Sequence, residues 1–353
     1  MNLNATSNIA ARKARWRDFY DMDKPPSHLF LIRYSENGGD PPLPNPHAKQ
    51  ERIDWAWDLY ENDMARTEWL DDDSIPHLNP YTGTEIFAEA FGCPVHRPDF
   101  TNPFARPLVQ NASEASRLRV PDLSAPCLSI LFDIADELRA RGGPEAIMRL
   151  VDIQSPMDIA ALIWEKTDFF VAVIENPAAV RELADKVRLL LTAFLDEWFS
   201  RYGVEFIAHY PDYYMPGGVT LSEDEIGAVS PDVFEALFLP QLTMLSRRYG
   251  GIGIHCCADA RHQWEHLKRI PNLQLLNLVQ PVTELQEAYQ YFASQVPQMH
   301  NWCGDGDPLS WTKHWPEDCR AVLQVSAESR SQALEQAHKL RALFEQRNSK
   351  HAR

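Results

Sequence analysis

Short apolar runs recur along the chain, at 28–34 (HLFLIRY), 74–80, 146–156, 204–210, 251–257 (GIGIHCC), 273–279, 297–303 and 320–326. Most are separated by stretches with apolar residues at helical spacing. One such helix is predicted to start at Ser230-Pro231, carry Phe234, Leu237, Phe238, Leu242 and Leu245 on one face, and stop at Gly250. A second starts at Asn176-Pro177 and stops at Gly203, and Ser222 with Glu225 fits a capping box. Eight short strands alternating with helices predict an α/β protein, a TIM (β/α)8 barrel with an N-terminal helical extension. No G-x-G-x-x-G turn favours an open doubly wound sheet instead. The expected division is a helical extension over 1–27, a barrel over 28–345 and a flexible tail over 346–353.

Composition changes this picture little. The 353 residues carry a net charge of −16, which leaves no basic excess for nucleic acid or an anionic membrane. No apolar run approaches the roughly 20 residues of a membrane helix. The N-terminus lacks the apolar core of a secretory signal, and six scattered cysteines do not make a disulfide framework, so a cytoplasmic location is expected. The acidic run WLDDDSI (69–75) reads as a solvated loop at a helix end, and Cys93, Cys127 and Cys319 as buried free thiols.

In a barrel, chemistry sits where strands end. Strand alternation puts His255 and Cys257 on one face and Cys256 on the other. An imidazole and a thiol two residues apart can chelate one ion, and Zn²⁺ accepts both donors. Buried cysteines near a histidine can equally be core filling. Cys303, which closes a later strand, is the candidate third ligand. Other strand ends are also polar. Asp212 and His209 are candidate catalytic residues; Arg33, Gln154, Tyr210, Tyr213 and Asn277 are candidate substrate contacts.

The stretch from Gly217 through Pro281, with its SEDE segment, its Ser-Pro-started helix and its His-x-Cys, resembles the uroporphyrinogen decarboxylase superfamily. The resemblance continues upstream through VDIQSPMDIAALIW and IPHLNPYTGTEIFAEAFGCPV, and downstream to GDGDP. It implies a TIM barrel and one of two chemistries: cofactor-free decarboxylation of porphyrinogens, or methyl transfer between a corrinoid and a thiol activated by zinc. The decarboxylase residues transfer badly. Arg33 is kept, but its partner arginine is replaced by Asn37, the key aspartate falls at Gly83, the tyrosine at Leu162, and no histidine occurs in QVSAESRS. His255 and Cys257 match the first two zinc ligands of the methyltransferases. Their third ligand falls in Ser326-Ala327-Glu328, which makes Glu328 the alternative to Cys303. The resemblance therefore implies a zinc-dependent methyltransferase or demethylase component, with a corrinoid (cobalamin) as substrate or carried by a corrinoid-binding partner protein. A metal-free decarboxylase of a carboxylated substrate and a non-catalytic tetrapyrrole-binding barrel are the alternatives.

Overall fold

The computed structural model describes residues 3–34, 40–302 and 308–351. The fold is α/β. Its strands are β1 (His28–Arg33), β2 (His77–Leu78), β3 (Val95–His96), β4 (Phe104–Ala105), β5 (Ile147–Arg149), β6 (Phe206–Ile207), β7 (Tyr214–Met215), β8 (Val219–Ser222), β9 (Ile252–Cys256), β10 (Leu273–Gln280), β11 (Asn301–Trp302) and β12 (Ala321–Ser326). Each of the eight predicted positions holds a strand. The surprise is β8, a four-residue strand directly after the Gly217-Gly218 pair, which the apolar pattern passes over.

Parallel pairing links β2 to β5 and joins β8, β9, β10 and β11 in series, while β12 pairs with β1. Single parallel bridges at Gln154–Ser222 and Gln298–Ala321 connect these groups. Beyond β5, at Gln154, the neighbour is therefore β8 and not the predicted 204–210 strand. That segment supplies β6, which pairs with Met148 and Arg149 of β5 and turns back through antiparallel β7.

No ladder joins β1 to β2 among the described residues. Instead, Phe30 N donates to Asp73 Oδ2 (3.0 Å), Ile32 N to Asp72 Oδ2 (3.1 Å), and Asp73 N to Phe30 O (2.9 Å). Two carboxylates thus stand in for strand carbonyls. This corrects the reading of WLDDDSI as a solvated loop, because Asp72 and Asp73 are fully buried. Burying such charges costs several kcal/mol unless they are paired. Arg12 pairs with Asp72 at 3.1 Å; Arg15 and Arg341 pair with Asp73 at 2.5 and 3.1 Å. Arg12 and Arg15 come from the predicted leading helix, Leu3–Tyr20, whose Trp16 and Phe19 are wholly buried. Arg341 comes from the helix Arg330–His351.

Helices cover the outside of the strands. The helix Pro177–Tyr202 buries Val180, Leu183, Val187, Leu190, Phe194 and Trp198, each worth about 1.5–3 kcal/mol relative to exposure. It ends at Gly203 (φ 91°), as its sequence predicts, although Asn176 makes no side-chain cap. Ser230 does cap its helix through Val233 N. That helix then widens to a π turn over Phe234–Phe238 before continuing as Leu239–Tyr249. Pro240 lacks an N–H and would crowd the carbonyl four residues back, which accounts for the wider turn. The capping box at Ser222–Glu225 does not form: Ser222 ends β8, and its hydroxyl bonds to His209. No helix is long and apolar enough to cross a membrane among the described residues.

Candidate functional site

The C-terminal ends of β5, β8 and β9 line a cavity of about 450 Å³ that holds Asp152, Gln154, His209, Asp224, His255 and Cys257. A second cavity of about 670 Å³ opens beside it, under Arg33 at the end of β1, with Arg66, Asp63, His77, Trp55 and Asp212. The two share a wall of Asn79, Tyr81, Arg149 and Tyr210.

Register sets the first cavity. Ser222 on β8 and Asn277 on β10 lie directly opposite His255 on β9. Asn277 Nδ2 donates to Met299 O, and to Asn301 Oδ1 at 2.8 Å, so its Oδ1 is turned toward His255. His255 Nδ1 lies 2.5 Å from that oxygen and must donate to it. Nε2 is then the unprotonated nitrogen, and it sits 3.0 Å from Cys257 Sγ. Burial lowers the pKa of the imidazole, opposed by the Asn277 bond and by Asp224, and favours the neutral form a metal needs. The ring of Tyr210 meets His255 edge-on at 4.6 Å. Cys256 is buried in the core, while Cys257 is exposed, as strand alternation predicts.

Asp224 lies beside this pair. One ligand atom each from Asp224, His255 and Cys257 fall within 4.8 Å of one another. Nitrogen, sulfur and oxygen donors converging in this way fit Zn²⁺. Sequence reasoning missed Asp224 because SEDE reads locally as a helix cap. Behind it, Asp158 accepts from Asp224 N (2.7 Å) and Glu225 N (3.0 Å). Burial pushes the Asp158 carboxyl up to about 7 and the adjoining Glu223 well above its ordinary value, so the pair favours holding a proton.

The other predicted residues take varied places. His209 lines the first cavity with both ring nitrogens engaged, Nδ1 with Thr220 Oγ1 (3.3 Å) and Nε2 with Ser222 Oγ (3.0 Å); burial holds it neutral. Gln154 lines the same cavity, and its Oε1 is buried without a hydrogen-bond partner. Tyr210 faces both cavities. Tyr213 is buried in the core, its hydroxyl filling the space that a Cβ on Gly253 would need. Asn277 is fully buried and supports His255 rather than lining either cavity. Asp212, at φ 71°, pairs with Arg149 (2.9 Å) and with Arg33 (3.5 Å). Arg149 was missed, although a lone charge inside the apolar run AIMRLV was a usable signal. Glu328 is exposed beyond β12, bonded through its N–H to Gln332, and stands outside the His255–Cys257 cluster. Cys303 and Asn37 lie outside the described residues. Cys93 and Cys319 are buried free thiols, while Cys127 is half-buried.

A comparison with curated proteins finds no match. Among solved structures, the chain is similar to a methyltransferase from Methanosarcina mazei, with a TM-score of 0.63 at 12% sequence identity, over 94% of this chain and 99% of that one. At that identity the likeness concerns the fold. The family model for uroporphyrinogen decarboxylase (URO-D) matches residues 81–297, more than half of the sequence and the part that carries β5 through β10 and both candidate metal-binding strand ends. The chain therefore belongs to the uroporphyrinogen decarboxylase family.

Proposed function

We propose that the chain is an enzyme of the methyltransferase branch of this family, a methyltransferase or demethylase component on a TIM (β/α)8 barrel, with zinc at the barrel mouth. The observation that carries this reading is His255 Nε2, fixed by Asn277 as a bare lone pair and aimed at Cys257 Sγ. The methyltransferase among its structural neighbours supports it. Bound zinc would lower the pKa of an incoming thiol or polarise a substrate heteroatom.

The chain's own residues do the rest. Asn277 holds the imidazole in its ligating tautomer, and Tyr210 limits its rotation. His209 is a neutral wall with its nitrogens already engaged, so it shapes the cavity rather than exchanging protons. Gln154 offers a bare carbonyl oxygen to a substrate donor. Arg33 and Arg149 receive an acidic group of the substrate in the second cavity, where Asp212 is their counter-ion. The methyl carrier is a corrinoid, delivered in the cytoplasm by a corrinoid-binding protein.

Metal analysis of the purified chain tests this reading. It expects one zinc per chain, lost in His255→Ala; a wild-type protein without stoichiometric metal defeats it. The three guanidinium groups of the second cavity favour one other reading, a metal-free decarboxylase of a carboxylated substrate. That enzyme would release CO₂ at a rate indifferent to chelators.

A further inference from the structure

We propose that Asp224 is the third protein ligand of the metal, an oxygen donor that completes the set begun by His255 Nε2 and Cys257 Sγ. This rests on the zinc reading and specifies which residue closes its site.

Three observations carry it. The first is proximity, since the ligand atoms of the three residues lie within 4.8 Å of one another. The second is register. Ser222 pairs with His255, so Asp224, two residues on, emerges beside Cys257 at the same level of the parallel sheet. The third is how the carboxylate is held. Asp224 Oδ1 accepts from Cys257 N at 2.5 Å, which fixes the aspartate against the strand end that bears the thiol and leaves Oδ2 for an ion. Its own backbone is anchored by Asp158, itself set by the Ser155 cap of the helix Pro156–Ile163. Polar support behind a ligand is what a precise metal site requires.

The charges agree. A neutral imidazole, a thiolate and a carboxylate together balance a divalent cation. Glu328 does not compete, because it is exposed and outside the cluster. A carboxylate is a harder donor than a second thiolate, so it leaves the metal the stronger Lewis acid.

Cobalt substitution tests the assignment in the full-length chain. Co²⁺ is titrated into metal-free protein, following the near-ultraviolet thiolate-to-cobalt band and the visible ligand-field bands, and zinc affinity is measured by competition with a chromophoric chelator. Asp224→Asn is the informative variant, because its side-chain carbonyl can still accept from Cys257 N and keep the loop in place. We expect it to keep the thiolate band, shift the ligand-field bands and weaken zinc binding by about 100-fold, while Cys257→Ser abolishes the band. Cys303→Ser should match the wild type in band intensity and affinity. Wild-type affinity and unchanged spectra in Asp224→Asn would overturn the assignment, as would loss of about half the thiolate band in Cys303→Ser, since that intensity scales with the number of thiolates bound. A wild-type protein that takes up neither metal would bring down the zinc reading, and the assignment with it.

Discussion

The two cavities at the strand ends share a wall, yet they are built for opposite charges. The first sets Asp152 and Asp224 against Arg149 alone, and its histidines are neutral. The second sets Arg33, Arg66 and Arg149 against Asp63 and Asp212, with His77 also driven toward neutrality by burial. In a chain of net charge −16, a concave surface with a cationic excess focuses anions where the bulk of the protein repels them. One cavity thus suits a metal ion and the other an acid group, and a substrate spanning the shared wall would present one end to each. Fold-level likeness does not carry this distinction; the placement of a few side chains does.

The sharpest way to break the comparison is to empty one side. His255→Ala should lower zinc affinity by at least about 100-fold, while binding of a small carboxylate such as benzoate, followed by calorimetry, stays at its wild-type value. Loss of both would mean that the cavities act as one. Next in size, Asn277→Ala should cost zinc affinity about 10- to 100-fold with the ligands intact, because it frees His255 to take the wrong tautomer. An unchanged affinity would remove the orienting role given to Asn277.

On the other side, Arg33→Gln should weaken benzoate binding by about tenfold and leave zinc content alone. The smallest effect concerns Asp152, whose carboxyl burial raises from 3.8 to about 6. For such a group the ionised form is penalised in the folded protein: the penalty is absent below its unfolded value and complete once pH passes about 6. Asp152→Asn should therefore stabilise the chain by on the order of 1 kcal/mol at pH 7.5, and by almost nothing near pH 4, in thermal melts at both pH values. A gain that is the same at both would show that the charge is not what strains this cavity.

Much of this was legible in the chain itself. Period-two alternation separated Cys256 from His255 and Cys257, because a strand's pleat depends only on local geometry. Proline and glycine marked helix ends for the same reason. What escaped the sequence was everything decided by which strand lies beside which. Asp224 reads as part of a helix cap until β8 is placed next to β9. Asn277 reads as a substrate contact until register sets it opposite His255. Asp72 and Asp73 read as solvated because their composition is acidic, and only an unpaired strand edge explains why they are buried. The strand β8 is short and follows two glycines, so its apolar run gives too little signal to stand out.

The seam between β1 and β2 has one more consequence. Asp73 is held by Arg15 near one end of the chain and by Arg341 near the other, across a separation of 268 residues in the second case. Closure of this edge thus depends on contacts far apart in the sequence, which form slowly. On a ribosome, Asp73 emerges together with β1 and Arg15, but its second arginine follows only 268 residues later. Until then Asp73 has one of its two arginines. The edge that carries Arg33 into the second cavity therefore completes its charge pairing only once the helix Arg330–His351 has been made.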